Sequence, residues 1–152
     1  MERIESPRAD DSAIEAEIKA KGLTAPRVTP ADIEAEIDST WYFTAAEGCE
    51  GAAFAGTPLE QQPPVGAASP LRLLTFCVLV LRNGFTVTGE SACASPENFD
   101  ADVGRKIARS NAVNKVWPLL GFRLKDRLQD LSEGPQSAVA AAGNITQTAI
   151  ER

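Results

Sequence analysis

The sequence contains no histidine, and its three cysteines have no paired spacing. The lack of histidine excludes a Ser-His or Cys-His nucleophile pair, a histidine-ligated metal and the usual general base near pH 7. An odd number of cysteines (Cys49, Cys77 and Cys93) without a CxxC motif favours reduced thiols over a disulfide framework. We therefore expect a protein that is not an enzyme, with no metal and no cofactor.

A surplus of positive charge is also missing, because 15 Lys and Arg against 21 Asp and Glu give a formal net charge of −6. A protein that coats duplex nucleic acid needs an excess of basic residues, so duplex binding is not expected. A small anionic ligand needs only one local basic pocket and stays open. The longest apolar run covers nine residues, 73–81, whereas a membrane helix needs roughly 20. The charged first residues do not resemble a signal peptide, and we expect a cytoplasmic protein without membrane contact.

The first part of the chain predicts a tail and two short helices. Residues 1–11 predict a solvated tail. Residues 12–22 predict a helix with Ser12 as its N-cap, and residues 29–37 predict a second helix with Thr29 as its N-cap. Both predictions depend on cap residues followed by apolar residues at helical spacing.

The remaining segments outside the centre predict one strand, one loop and one tail. Residues 41–45 predict a short strand, and residues 47–70, which are rich in Gly, Pro and Ala, predict a loop insertion. Residues 132–152 have little hydrophobic bulk and predict a flexible tail. The chain would then form a single domain over residues 12–131.

Residues 71–92 predict a central β-hairpin around Asn83-Gly84, a strong two-residue turn signal that needs positive φ at both positions. With this turn, Val80 faces Val87 across the hairpin. One face would carry Phe76, Val78, Val80, Phe85 and Val87, and the other Cys77, Leu79, Leu81, Thr86, Thr88 and Glu90. The first strand is therefore apolar on both faces, whereas a two-layer domain normally exposes one face to water. We expect a second subunit to cover that face, although the 47–70 loop is an alternative.

Ser95-Pro96-Glu97 predicts the start of a long helix over residues 96–117, which Pro118 would end. A separate amphipathic segment would follow at 122–131. The fold class is thus α+β, with a small antiparallel sheet (central hairpin 71–92) packed against a long helix (96–117) and short N-terminal helices. The predicted core stripe of the long helix consists of Phe99, Val103 and Ile107.

The long helix carries a cluster of basic residues. Arg105 and Arg109 are one turn apart with Lys106 beside them, and the guanidinium fork suits a phosphate. Lys115 could join from the edge. The alternative is a solvated helix face on which Asp102 pairs with these cations.

Asn98, Phe99 and Asp100 offer an amide, an aromatic ring and a carboxylate at the start of the same helix. An adenine-like base could stack on the ring and form a paired hydrogen bond with the Asn98 amide, one donated and one accepted. The alternative places Phe99 in the core and leaves the other two residues as helix caps. Phe85, directly after the turn, has the same two interpretations.

Residues 75–122 contain the pattern NGFxVxGES…SPENFD…GRKIA…NKxWPLxGF, preceded by RVTPADIEAEI at 27–37. This pattern resembles a family of small tailed-phage proteins, known as gene product forty-nine in one phage and gene sixty-six in another. It also resembles the Thoeris anti-defence proteins called Tad one. The segments 47–70 and after 131 are additions to the pattern.

The resemblance implies a phage anti-defence sponge. Such a protein binds a cyclic nucleotide immune signal of the cyclic ADP-ribose type, for example a glycocyclic ADP-ribose, and in some cases cyclic oligonucleotides. It does not degrade the signal and thereby blocks TIR/Thoeris-type signalling. The resemblance further implies a homo-oligomer, dimer or hexamer, with pockets between subunits, in the host cytoplasm. The candidate ligand-binding residues, chosen by their chemistry at motif positions, are Arg27, Phe85, Asn98, Phe99, Asp100, Arg105, Arg109 and Lys115.

Two other functions remain open on the sequence. A phage accessory protein could inhibit a host protein by direct binding through its acidic surface and its exposed sheet. An enzyme that cleaves nucleotide signals is disfavoured by the lack of histidine and of metal-ligand spacing.

Overall fold

The computed structural model describes residues 9–61 and 69–134, and its centre is a three-stranded antiparallel sheet in the order β1-β2-β3. The strands are β1 (Ile37–Thr44), β2 (Leu74–Leu81) and β3 (Thr86–Ala92). The helices are α1 (Ala9–Ala20), α2 (Pro30–Glu36), α3 (Ala45–Ala53) and α4 (Ala101–Glu133), with 3-10 turns at Leu59–Gln61, Pro70–Leu73 and Pro96–Asn98. The predicted α+β fold class is confirmed.

The described residues leave out most of the predicted tails. Residues 1–8 and 135–152 lie outside them, as do residues 62–68 of the predicted loop. Among the described helices, none combines the length and the apolar character that a membrane span requires.

The two N-terminal helices form near their predicted positions. Thr29 caps α2 as expected, since its hydroxyl accepts from the Asp32 N–H while the Asp32 carboxylate accepts from the Thr29 N–H at 2.8 Å. α1 begins at Ala9, so Ser12 lies inside the helix and the tail predicted for 1–11 does not extend to residue 11. Asp11 in the first turn suits a helix N-terminus, which favours this earlier start.

The segment after the first strand is more regular than its composition suggests. β1 begins at Ile37, four residues before the strand predicted for 41–45, and α3 occupies part of the loop predicted for 47–70. Thr44 caps α3 through a capping box with Glu47, whose carboxylate accepts from the Thr44 N–H at 2.6 Å. This cap, together with the burial of Ala45 and Ala46, stabilises a helix in a Gly- and Ala-rich stretch.

The hairpin between β2 and β3 has a three-residue loop. The Leu81 N–H donates to the Phe85 carbonyl at 2.8 Å, which leaves Arg82, Asn83 and Gly84 in the loop. Gly84 has a φ of +83°, but Asn83 does not have a positive φ, so the predicted two-residue turn is wrong. The Asn83 side chain accepts from the Phe85 N–H at 3.0 Å and supports this longer loop, which ends in a left-handed glycine.

The longer loop shifts the strand register by one residue. Leu79 pairs with Val87 and Val80 with Thr86, rather than Val80 with Val87. Because the side-chain period of a strand is two, this shift moves Val87 to the face of Cys77. That face is the buried one, and its residues under α4 are Thr75, Cys77, Leu79, Leu81 and Val87.

α4 differs from the predicted helix at both ends. Residues 96–98 form a single 3-10 turn, and α4 starts after Asp100, whose carboxylate accepts from the Val103 N–H at 2.8 Å. The helix passes through Pro118 and includes the segment predicted separately at 122–131. Pro118 is exposed, while Val116 and Leu120 on either side of it are buried. The stabilisation from burying these two side chains offsets the loss of the backbone hydrogen bond that proline removes.

The core stripe of α4 begins with small residues and continues with larger ones. Val103 and Ile107, which were predicted to lie in the core, are exposed, and Phe99 is only half-buried. β3 presents Gly89 to the helix, which allows close approach of the two backbones. The face of α4 that fits this contact carries Gly104, Ala108 and Ala112, followed by Val113, Val116 and Leu120. The close approach of α4 to Gly89 therefore determines which face of the helix is buried, rather than the size of the side chains on that face.

Candidate functional site

A cleft of about 130 Å³ lies where β2 begins, β3 ends and α4 begins. We call it the α4 cleft. It is open to solvent on one side and combines apolar walls with a few polar groups. Its lining includes Thr75, Cys93, Asn98, Phe99, Asp100 and Ile107.

Local hydrogen bonds determine how the cleft residues are presented. The Asn98 N–H donates to the Ser95 carbonyl at 3.1 Å and the Phe99 N–H to the Pro96 carbonyl at 3.2 Å, which closes the 3-10 turn. The Cys93 thiol donates to the same Ser95 carbonyl at 3.2 Å. The turn therefore holds an amide, an aromatic ring and a carboxylate in sequence order along one wall of the cleft.

The floor of the α4 cleft is closely packed. Thr75 is buried on β2, and a Cβ added to Gly104 of α4 would lie 3.0 Å from the Thr75 hydroxyl oxygen. A larger residue at position 104 would press against this hydroxyl. Thr75 and Cys93 could not be recognised as cleft residues from the sequence, because their positions depend on the hairpin register and on the start of α4.

The two arginines predicted to form a phosphate clamp do not line the α4 cleft. Arg105 lies 3.2 Å from Asp102 on the same helix, with side chains 51% and 80% exposed. Arg109 lies 2.7 Å from Glu34 of α2, with side chains only 13% and 20% exposed. Both arginines therefore pair with carboxylates in the single chain, and Arg109 does so in the less accessible position.

The other candidate residues lie elsewhere. Arg27 binds both carboxylate oxygens of Glu15, at 2.9 and 3.0 Å. Lys115 lies 3.7 Å from Glu90, and Phe85 is exposed next to the hairpin loop. In the described part of one chain, the α4 cleft thus brings together Asn98, Phe99 and Asp100 and leaves the other five candidates outside.

A bidentate ion pair that the sequence did not reveal joins α4 to α2. Arg123 binds both oxygens of Glu36 at 2.8 Å. The hydrogen bonds from Arg123 hold the pKa of Glu36 below its usual value, and Glu36 in turn raises the pKa of Arg123. No signal in the sequence links two residues that are 87 positions apart, and the predicted helix end at Pro118 placed Arg123 in another element.

Comparison with known families identifies the chain's relatives. Residues 28–128, more than half of the chain, match the sequence profile of the Phage protein (N4 Gp49/phage Sf6 gene 66) family. The chain belongs to this phage protein family. The matched region of the phage protein contains the whole sheet and the α4 cleft. No curated protein and no solved structure matches it significantly.

The face of the sheet opposite the core is a second notable surface of the phage protein. We call it the outer sheet face. The strand register gives it three rows of outward residues: Ser39, Val80 and Thr86; Trp41, Val78 and Thr88; and Phe43, Phe76 and Glu90. Trp41 is 64% exposed, and the Phe43 and Phe76 rings stack with centroids 5.4 Å apart. β2 therefore has apolar residues on both faces, as the sequence predicted.

Charge is nearly absent from the outer sheet face, because Glu90 is the one charged residue in its three rows. Glu90 lies at a corner, next to Lys115 of α4. Exposed apolar patches of this kind commonly mark interaction surfaces. Within residues 9–61 and 69–134, no group of three or more Cys, Asp or Glu residues is placed to hold a metal ion.

Proposed function

We propose that this phage protein is a non-enzymatic binding protein that sequesters a cyclic nucleotide immune signal in the host cytoplasm. The ligand class is the cyclic ADP-ribose type, such as a glycocyclic ADP-ribose, with cyclic oligonucleotides as a related class. The observation that carries the proposal is the α4 cleft, in which Asn98, Phe99 and Asp100 stand side by side. Membership of a phage protein family supports the biological setting.

The chemistry of the α4 cleft suits the base or the ribose of a nucleotide. The Phe99 ring can stack on a base, the Asn98 amide can both donate to and accept from a base edge, and Asp100 can accept from ribose hydroxyls. One Asp100 oxygen is already used by the Val103 N–H, and the other oxygen of the carboxylate can accept a further bond. Sequestration needs only these bonds and slow release. The lack of histidine in the sequence supports binding without turnover.

The size of the α4 cleft argues that it holds only part of the ligand. Its volume of about 130 Å³ is smaller than that of sites that enclose a drug-sized molecule, roughly 300–1,000 Å³. The phosphates would therefore lie outside the cleft, near the cations of α4. Arg105 is the more available cation, because an exposed pair such as Arg105–Asp102 contributes at most about 1 kcal/mol and exchanges partners easily.

A homo-oligomer forms part of this proposal. We infer that the outer sheet face of one copy packs against the same face of a second copy, as in other sheet-on-sheet contacts. Trp41, Phe43 and Val78 would lose their contact with water in this arrangement. A second copy would also supply surface to a ligand that one cleft does not enclose.

A thermal-shift screen with cyclic ADP-ribose isomers and with cyclic di- and trinucleotides tests the ligand. The complex is then heated, and the released ligand is compared with the starting compound by chromatography. A stabilising ligand that is recovered intact supports the sponge. A ligand recovered in altered form would contradict the non-enzymatic part, and no shift with any compound would contradict the ligand class.

Matched variants test the site within the same screen. Asn98→Ala and Arg105→Ala should weaken binding at least about tenfold each, since each removes a hydrogen bond to the ligand. Lys125→Ala is the control for Arg105→Ala, because it removes an exposed cation farther along α4. Equal affinity in all three variants would contradict the site.

A second function is favoured by the outer sheet face. An exposed Trp41 beside stacked Phe43 and Phe76 also suits a host protein as partner. In that case the phage protein would be a monomer by sedimentation and no nucleotide would stabilise it. A purified host target would then bind the wild type, and Trp41→Glu would abolish that binding.

A further inference from the structure

The distal half of α4 reaches beyond the sheet on which the helix packs. α4 has 33 residues and therefore spans about 50 Å. β2 has eight residues, which corresponds to about 26 Å. The last core residue of α4 is Leu120, after which 13 helical residues remain.

An apolar stripe continues along this distal part of the helix. Val113, Trp117 and Leu120 are followed at helical spacing by Leu124, Leu128 and Leu131. We call the last three residues the distal stripe. Exposure increases toward the end of α4, from 6% at the core residue Leu120 to 37% at Leu128 and 81% at Leu131. The distal stripe is thus the continuation of the core stripe past the end of the sheet.

A partner that covers the distal stripe would stabilise this part of α4. Three leucines at this spacing form an apolar seam, and an isolated helix of this length is marginal in water without a packed face. Gln129 and Ser132 make their side-chain bonds within α4, to Glu133 and to the Gln129 carbonyl. These polar side chains therefore bond within their own helix.

We propose that the distal stripe packs against the distal stripe of a second copy in an antiparallel helix pair. The charges beside the stripe favour the same chain as partner. Arg127 and Asp130 lie three residues apart on one flank of the seam, and both are exposed. A two-fold axis near Leu128 brings Arg127 of each copy next to Asp130 of the other. This makes two intermolecular pairs of opposite charge, a self-complementary pattern.

This contact differs from the pairing of outer sheet faces described above. Two different two-fold contacts on one subunit close into a dihedral assembly, such as a tetramer or a hexamer, if their axes intersect. The helix pair by itself builds a dimer. The inference does not depend on the ligand, because the distal stripe is separated along α4 from the cleft residues by about 20 positions, or about 30 Å of helix.

Sedimentation velocity on the full chain without ligand tests the helix pair. The combined variant Leu128→Glu, Leu131→Glu should lower the assembly mass at least twofold. Phe122→Glu is the matched control, since Phe122 is an exposed apolar residue of the same helix on its opposite side, and it should leave the mass unchanged. A monomeric wild type overturns the proposal, as does an unchanged mass in the leucine variant.

A charge swap identifies the partner as a second copy. Asp130→Arg places like charges opposite each other in the pair and should weaken the assembly at least about tenfold. Arg127→Asp combined with Asp130→Arg restores the opposite charges and should restore the mass. Failure of this rescue overturns the antiparallel self-pairing. If the wild type is monomeric and removal of residues 135–152 exposes the leucines to solvent, then residues 135–152, and not a second copy, cover the distal stripe.

The helix pair and the nucleotide binding fail separately, whereas a monomeric wild type would overturn both the helix pair and the pairing of outer sheet faces. Nucleotide binding is measured by thermal shift and assembly by sedimentation. A failed sedimentation test together with retained stabilisation by the ligand would contradict the helix pair and leave the nucleotide binding standing. An assembly that passes the sedimentation test but is stabilised by no ligand would contradict the sponge and leave the helix pair standing.

Discussion

Gly89 of β3 and Ala108 of α4 are in such close contact that a Cβ added to Gly89 would lie 2.2 Å from the Ala108 carbonyl oxygen. The same Cβ would lie 2.2 Å from the Ala112 amide nitrogen. Both atoms belong to the helix backbone and cannot move aside as a side chain does. This contact sets the height of α4 above β3.

Gly89→Ala should therefore destabilise the protein by about 3 kcal/mol, the upper end of the usual cost of overpacking, because it forces the helix away from the sheet. The measurement is the free energy of unfolding from urea titration. Gly121→Ala is the control: a Cβ there meets no atom within 4 Å, and alanine is the better helix former, so it should stabilise by up to about 1 kcal/mol. A tolerated Gly89→Ala would contradict the close contact.

Pro118→Ala should stabilise the protein by about 1–3 kcal/mol. Proline inside a helix removes one hydrogen bond and crowds the preceding turn, and Pro118 is exposed, so no packing is lost with it. Chemical unfolding and helix content by circular dichroism check this result. A drop in stability would mean that the helix ends at Pro118, as the sequence suggested.

The ion pair of Glu36 with Arg123 should make stability depend on pH in the acidic range. The pKa of Glu36 is lower in the folded than in the unfolded chain, so the unfolded chain binds more protons there and stability rises with pH. The contribution is complete above the usual glutamate pKa of about 4.3 and is lost as pH falls through the folded value.

Glu36→Gln should remove part of this pH dependence and about 1 kcal/mol near neutral pH, a modest loss because Arg123 is partly exposed. Unfolding titrations between pH 3 and pH 7 measure both effects. Some pH dependence should remain, since hydrogen bonds from Thr29 also lower the pKa of Asp32. Glu97→Gln, an exposed acid in the 3-10 turn, is the control.

Arg109→Ala and Arg105→Ala should differ in their effect on folding. Arg109 joins α4 to α2 through the shielded Glu34, and its removal should cost about 1–2 kcal/mol. Arg105 pairs with an exposed acid on its own helix, and its removal should change stability by less than about 0.5 kcal/mol. Thermal unfolding without ligand compares the two. Equal losses of stability in the two variants would contradict the larger contribution expected from the less exposed Arg109 pair.

Sequence reasoning succeeded where the signal is local. Thr29 and Pro30 mark the start of α2 through side-chain and backbone preferences that need no other element. Consecutive residues of β2 are apolar, so both of its faces are apolar. This pattern supported the prediction of the α+β class and of an uncovered sheet face. Gly22 has the positive φ expected where α1 ends, because glycine adopts it without strain.

Sequence reasoning failed where a distant residue decides between two local options. Asn83-Gly84 fits both a two-residue and a three-residue loop, and the burial of Val87 under α4 accompanies the longer one. Thr44 was not recognised as a cap, because the Gly- and Ala-rich residues after it suit a loop equally well.

The sequence by itself thus determined the Thr29 cap of α2, the apolar character of β2, the family and the amide–ring–carboxylate trio at residues 98–100. Only the tertiary structure decided which face of α4 is buried, that Pro118 does not end it, and which cation pairs with which acid. Burial against Gly89 outweighs the preference for bulky core residues, and packing on both sides of Pro118 outweighs one lost hydrogen bond. Such comparisons between local preference and long-range contact need the positions of both partners, which the chain acquires only on folding.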